Sequence, residues 1–258
     1  MKKFPEITLI FWIMKIAATT LGETGGDLVA QTLNVGYALS SIILISLFFA
    51  SLVTQLKAKT FHPALYWTVI LSTSTAGTTM SDFMNRTAGL GYAKGALVLI
   101  TALAAVFVLW KFSGYPFNVM SISTFRGELL FWTATLLSNT LGTSLGDFLA
   151  DDSGLGFAGG TILVAVLLAL IAVAHYYGRI SGTLLFWTAF ILTRPLGANV
   201  GNFFSKPIER GGLGYGTVSV SLALAAILLV LIVYQVRQER RNLAFKGARY
   251  DEVLADER

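Results

Sequence analysis

The 258-residue chain is 55% hydrophobic and only 13% charged, with a mean hydropathy of +0.69. Soluble domains hold roughly 25% charged residues, so a single water-soluble core is excluded; apolar stretches of about 18 to 22 residues recur instead, each long enough for a hydrocarbon layer ~30 Å thick. Cysteine is absent, which removes disulfides and thiolate metal sites, and the net charge of +5 sits in connectors and tail, where it argues for membrane topology and against nucleic acid.

Lys2 and Lys3 precede the first apolar run, from Leu9. They resemble a signal-peptide start, but no small-residue cleavage site follows and the run belongs to a pattern that returns three more times. An aromatic residue followed by tryptophan stands at Phe11-Trp12, Tyr66-Trp67, Phe131-Trp132 and Phe186-Trp187. Ten residues after each tryptophan comes Gly22, Gly77, Gly142 or Gly197; fifteen after comes Asp27, Asp82, Asp147 or Asn202. A glycine turn follows as VGY at 35–37, GLGY at 89–92, GLGF at 154–157 and GLGY at 212–215. The unit starts lie 55, 65 and 55 residues apart, the longer middle connector suggesting a two-plus-two division.

Each unit therefore reads as helix, glycine turn, helix. The spacing predicts first helices at about 8–30, 64–86, 128–150 and 183–204, and second helices at about 37–56, 92–111, 157–175 and 215–235. The expected fold is an all-α integral membrane protein with about eight transmembrane helices, arranged as four parallel two-helix repeats with pseudo-symmetry about the membrane normal. The repeats span about 8–57, 64–111, 128–175 and 183–235 of a single transmembrane domain, 1–235, followed by a cytoplasmic tail, 236–258. The connectors and termini hold thirteen lysines and arginines, including Lys57, Lys59, Lys111, Arg126, Arg179, Arg237 and Arg258; the glycine-turn side holds Arg86, Lys94, Lys206 and Arg210. Basic loops stay inside, which places both termini in the cytoplasm of a bacterial inner membrane. The tryptophans then lie near the inner interface and the acidic register about 22 Å further along.

The first helices are the polar ones. Thr20, Glu23, Thr24 and Asp27 share a helical face, with Lys15 further back; unit two has Ser74, Thr75, Thr78, Thr79 and Asp82; unit three has Ser138, Asn139, Thr140, Thr143, Ser144 and Asp147; unit four has Thr193, Arg194, Asn199 and Asn202. A charge facing lipid costs about 2.5–3.5 kcal/mol even on a lenient scale, so these faces are expected to turn inward and the apolar second helices to form the shell. Asp27, Asp82, Asp147 and Asn202 would then form one ring, whose carboxylates must bind cations, share protons or stand apart in water. Arg194 and Lys15 are the expected charge-balancing residues. Unit four lacks the carboxylate and gains Arg194 and Pro195, which implies functional asymmetry.

Two readings of the register glycines stay open: close helix packing, or a helix break that offers carbonyls to an ion. Outer helix caps are the alternative reading of the aspartates, but their repeated register with hydroxyl residues below it favours a polar pathway. Asp151 and Asp152 read as solvated loop charges, and His62 and His175 as connector residues without a metal-ligand spacing. No nucleotide-binding loop or HExxH occurs, and an enzyme is not expected.

The aromatic-tryptophan starts, G-x-x-x-[GS]-D strings and GLGY turns resemble a family of uncharacterised bacterial multi-pass membrane proteins known only as membrane-anchored proteins. That likeness spans all eight helices and implies no activity. Glu23-Thr24-Gly25-Gly26-Asp27 is loosely similar to the Glu-x-Gly-Asp signature of cation exchangers of the Gdt1 type, with one extra residue and Leu28 where a basic residue is expected. The function expected is a cation transporter or exchanger, with a non-transporting scaffold or sensor, or an ion channel, as alternatives. Its ion or proton site comprises Asp27, Asp82, Asp147, Glu23, Asn202, Asn139, Thr78 and Thr143, the three aspartates being the metal ligands. Hard oxygen ligands suit a divalent substrate cation such as magnesium or manganese. No permanently bound cofactor is expected; the partners are the lipid bilayer and a small inorganic cation.

Overall fold

The computed structural model describes residues 3–178 and 180–256, with side chains through 242. Lys2, Arg179 and Arg258 of the basic inventory, and most of the predicted tail's side chains, lie outside the described residues. Eight long helices follow in order: α1 Leu9–Asp27, α2 Tyr37–Lys57, α3 Pro63–Asp82, α4 Tyr92–Phe112, α5 Phe125–Asp147, α6 Gly156–Tyr177, α7 Gly182–Ser205 and α8 Thr217–Asp256. Local chemistry sets the starts. Pro63 fills the first turn of α3, where its missing N–H costs nothing, and the Thr124 hydroxyl accepts from the Gly127 amide at 3.2 Å to open α5.

The odd-numbered helices form a closed ring, α1 against α3, α3 against α5, α5 against α7 and α7 against α1. Each second helix packs on the first helix of the next unit: α2 on α3, α4 on α5, α6 on α7, and α8 back on α1. A unit cannot bury its own polar face, so the four interlock. Four helices are long and apolar enough to cross a membrane, namely Tyr37–Lys57, Tyr92–Phe112, Gly156–Tyr177 and Thr217–Asn242. They form the outer shell of a membrane protein, with exposed side chains such as Leu97, Leu109, Ile162 and Leu222.

The repeated motif explains the ring. The first aromatic of each unit meets the tryptophan of the next, with ring centroids 5.7 Å apart for Phe11 and Trp67, 5.6 Å for Tyr66 and Trp132, 5.8 Å for Phe131 and Trp187, and 5.7 Å for Phe186 and Trp12. Two turns further on, each register glycine receives the residue seven after the neighbouring tryptophan. A Cβ on Gly22 would lie 2.3 Å from Ser74 Cβ, on Gly77 2.9 Å from the Asn139 carbonyl carbon, on Gly142 2.3 Å from Arg194 Cγ, and on Gly197 2.9 Å from the Thr19 carbonyl carbon. The helices run unbroken through these glycines. Of the two readings left open by the sequence, close packing is the one seen.

The predicted helix ends shift slightly. After Asp27, Asp82 and Asp147 the chain makes one π-helical turn, Leu28–Thr32, Phe83–Thr87 and Phe148–Asp152, whereas α7 runs straight through Asn202 to Ser205. The turn then uses left-handed backbone at Gly36, Gly91, Gly156 and Gly214, with φ of 80°, 75°, 66° and 74°. Two residues earlier, Gly89 and Gly154 are also left-handed, and unit one places Asn34 there with φ 55°. Asparagine is the residue that tolerates this well without being glycine. Replacing Asn34 with valine is expected to cost about 1–2 kcal/mol and Asn34→Gly to be tolerated, read as thermal midpoints of the detergent-solubilised protein.

Candidate functional site

Along each first helix, the residues 3, 7, 11 and 15 after the tryptophan point to the ring axis, because steps of four residues keep one face and climb about 6 Å each. They make four layers: Lys15, Ile70, Thr135 and Phe190; Thr19, Ser74, Asn139 and Arg194; Glu23, Thr78, Thr143 and Ala198; Asp27, Asp82, Asp147 and Asn202. All are at most 4% exposed. The polar faces expected from sequence therefore do meet inside the protein, sealed at the tryptophan end by Phe4, which packs 4.8 Å from Phe131 and 6.2 Å from Tyr66 between ring centroids. The segment carrying Phe4 is anchored by Lys3, whose amine sits 2.7 Å from the buried Glu128 carboxylate and donates to the Leu56 carbonyl at 3.2 Å.

The centre is one node. Arg194 Nη2 donates to Glu23 Oε2 at 3.1 Å, to the Ser74 carbonyl at 3.2 Å, to Thr143 Oγ1 at 2.8 Å and to Thr78 Oγ1, while Nη1 donates to the Thr19 carbonyl at 3.0 Å. Glu23 also accepts from Thr78 at 3.2 Å, Thr143 at 3.4 Å and Asn202 at 3.1 Å. A single carboxylate from α1 thus holds groups from α3, α5 and α7. Asn139, assigned to the same site from sequence, stands one layer away and donates to Thr73 Oγ1 at 2.7 Å.

The aspartate layer is neutralised by other residues than expected. Lys206 donates to Asp27 at 2.5 Å and to Gln31 at 3.1 Å; Arg86 donates to Asp82 at 2.9 Å and reaches Asp147 at 3.7 Å. Arg194 serves Glu23, and Lys15 serves none of the carboxylates: its Nζ lies 3.9 Å over the Phe190 ring. Arg86 and Lys206 read from sequence as loop charges, yet both stand nineteen residues after their tryptophan, one turn beyond the acidic register. Each reaches the next unit's carboxylate, so α3 is clamped to α5 and α7 to α1. Among the described residues no group of three His, Asp or Glu is placed to hold a metal ion. The three aspartates accordingly sit in two ion-pair clusters, each carboxylate occupied by a cationic side chain.

A repeat of unknown function, DUF347, matches residues 10–61, 65–115, 130–181 and 185–241, in register with the four units above. The chain belongs to this family, an all-helical membrane protein built from four such repeats. No curated protein and no solved structure matches it.

Proposed function

We propose that this protein is an inner-membrane cation transporter or exchanger whose eight helices all cross the bilayer, with both termini cytoplasmic and the ring axis as its route. One observation carries the reading: the Glu23–Arg194 node, a charged pair at the middle of the ring that draws a polar group from every first helix. Hydrophobic residues of similar volume would pack such a centre at least as stably, and ionisable groups inside membrane bundles mark ion and proton paths. The sheathing of each polar helix by apolar neighbours supports eight crossings, and the basic connectors support the orientation.

A cation reaching the aspartate mouth competes with Lys206 and Arg86 for Asp27, Asp82 and Asp147, then meets Glu23, Thr78, Thr143 and Asn202. Protonation of a carboxylate exchanges with cation binding and couples the two gradients. The loose likeness of Glu23–Asp27 to Gdt1-type exchangers agrees in kind. No resident cofactor and no covalent chemistry belong to this reading.

A second reading, a non-transporting scaffold, is favoured by the balance of the column: Lys15, Arg86, Arg194 and Lys206 match Glu23, Asp27, Asp82 and Asp147 in formal charge. Manganese or magnesium flux into proteoliposomes separates the two. Wild type is expected to transport, and Asp82→Asn with Asp147→Asn to lose about ten- to a hundredfold, the range seen when groups supporting a metal site are removed. Equal flux in both rejects the assigned mouth, and a wild type that moves neither metal nor protons selects the scaffold.

A further inference from the structure

The layer between the aromatic seal and Arg194 holds a feature that cation binding at the mouth does not use. Lys15 is fully buried, and its Nζ has no hydrogen-bond partner. It rests on the Phe190 ring, 3.9 Å from the ring centroid. A permanently charged ammonium here forgoes the acceptors that buried charges otherwise find. Arginine keeps its proton in proteins, whereas a lysine amine can release one.

Lys15 has company. Ser74 Oγ, Ser138 Oγ, Asn139 Oδ1 and Arg194 Nε, all on fully buried side chains within about one turn of it along the axis, are likewise without partners. Buried polar atoms of this kind are normally satisfied by ordered water. Ordered water between these groups would join Lys15 to the Glu23 node, two turns away on the same helix. A metal ion needs several oxygen ligands at one point, and the layers of Lys15 and Arg194 hold no carboxylate; a proton needs only consecutive donors and acceptors.

We infer that the ion moved along this column is the proton, and that Lys15 is its last carrier before the tryptophan end. The inference rests on the transport reading above and names its substrate. A proton at the aspartate register passes to Glu23, which loosens its pair with Arg194. It then crosses the hydrated layer to the Lys15 amine and leaves as the ammonium gives it up past the aromatic seal; the reverse sequence is equally balanced. The charged group facing Lys15 from α7 is Arg194, one turn beyond Phe190. From α3 and α5 the same layer presents Ile70 and Thr135, along α1 the nearest acid on this face is Glu23, and α8 has no Asp, Glu, Lys, Arg or His between Thr217 and Val236.

The test uses the full chain in proteoliposomes holding a pH-sensitive dye, with a potassium diffusion potential as the driving force. Wild type is expected to change lumenal pH; Lys15→Met and Lys15→Arg are each expected to be about a hundredfold slower, the scale of removing a positioned proton carrier. Lys15→Arg keeps the charge in a somewhat larger side chain, so it serves if Lys15→Met fails to fold for want of that charge. Ser138→Ala, which alters no charge, is expected to slow flux measurably. Proton flux that survives in Lys15→Arg overturns the carrier role. Manganese or magnesium flux in wild type without a proton signal overturns the proton while leaving transport intact, and a wild type that moves neither ion removes the transport reading itself.

Discussion

Arg194→Ala is expected to destabilise the detergent-solubilised protein by about 3–5 kcal/mol, the cost of stripping one partner from a buried ion pair. The loss has a specific origin. Five hydrogen bonds from one guanidinium tie α7 to α1, α3 and α5. Truncation leaves Glu23 in the ring centre with only Thr78, Thr143 and Asn202 to hold it. Arg194→Lys keeps a charge but not the fork that reaches three helices at once, and is expected to fall between alanine and wild type. Arg194→Met together with Glu23→Leu removes the charge and its counter-charge, and is expected to recover more than half of the lost stability. Thermal midpoints give the ordering. A double variant as unstable as Arg194→Ala would show that the cost lies in lost volume and not in an orphaned carboxylate. Once folded, that double variant is also the cleanest probe of function, since a scaffold tolerates it and a transporter does not.

Much of this arrangement was legible in the sequence, because one register repeated four times fixes which residues share a depth. The tryptophan, glycine and aspartate spacings place the layers, and the contrast between polar first and apolar second helices places the shell. Pairing across units was not legible: nothing local to α2 says that it leaves its own first helix for α3. The same blindness hid the clamps. Arg86 and Lys206 fell at or beyond the predicted helix ends, 86 and 204, and so counted as loop charges. Their signal was present as the i, i+4 spacing of Arg86 from Asp82 and of Lys206 from Asn202, which puts each on the axial face. Lys15 reads from sequence as a partner of the carboxylates although it stands eight residues from Glu23; what the sequence does not show is the Phe190 ring that α7 places 3.9 Å from its amine.

The closed ring itself makes the last expectation. Gly77→Ala and Gly197→Ala each put a methyl group 2.9 Å from a neighbouring backbone carbon, which no side-chain rotation relieves, so a helix has to move. Overpacking of this kind costs about 1–3 kcal/mol. Gly77 lies on the α3–α5 seam and Gly197 on the opposite α7–α1 seam. Widening one seam of a four-membered ring skews it so that the opposite seam widens too, and the second methyl then enters space already opened. The double variant is therefore expected to cost less than the sum of its parts, although the two sites share no contact and distant substitutions ordinarily add within about 0.5 kcal/mol. Gly77→Ala with Gly142→Ala, on adjacent seams that share α5, has no such relief and is expected to cost at least the sum. Equal additivity in both pairs, measured by unfolding in mixed detergent, would mean that the four polar helices respond as independent contacts, and that a rearrangement at one mouth is not transmitted around the ring.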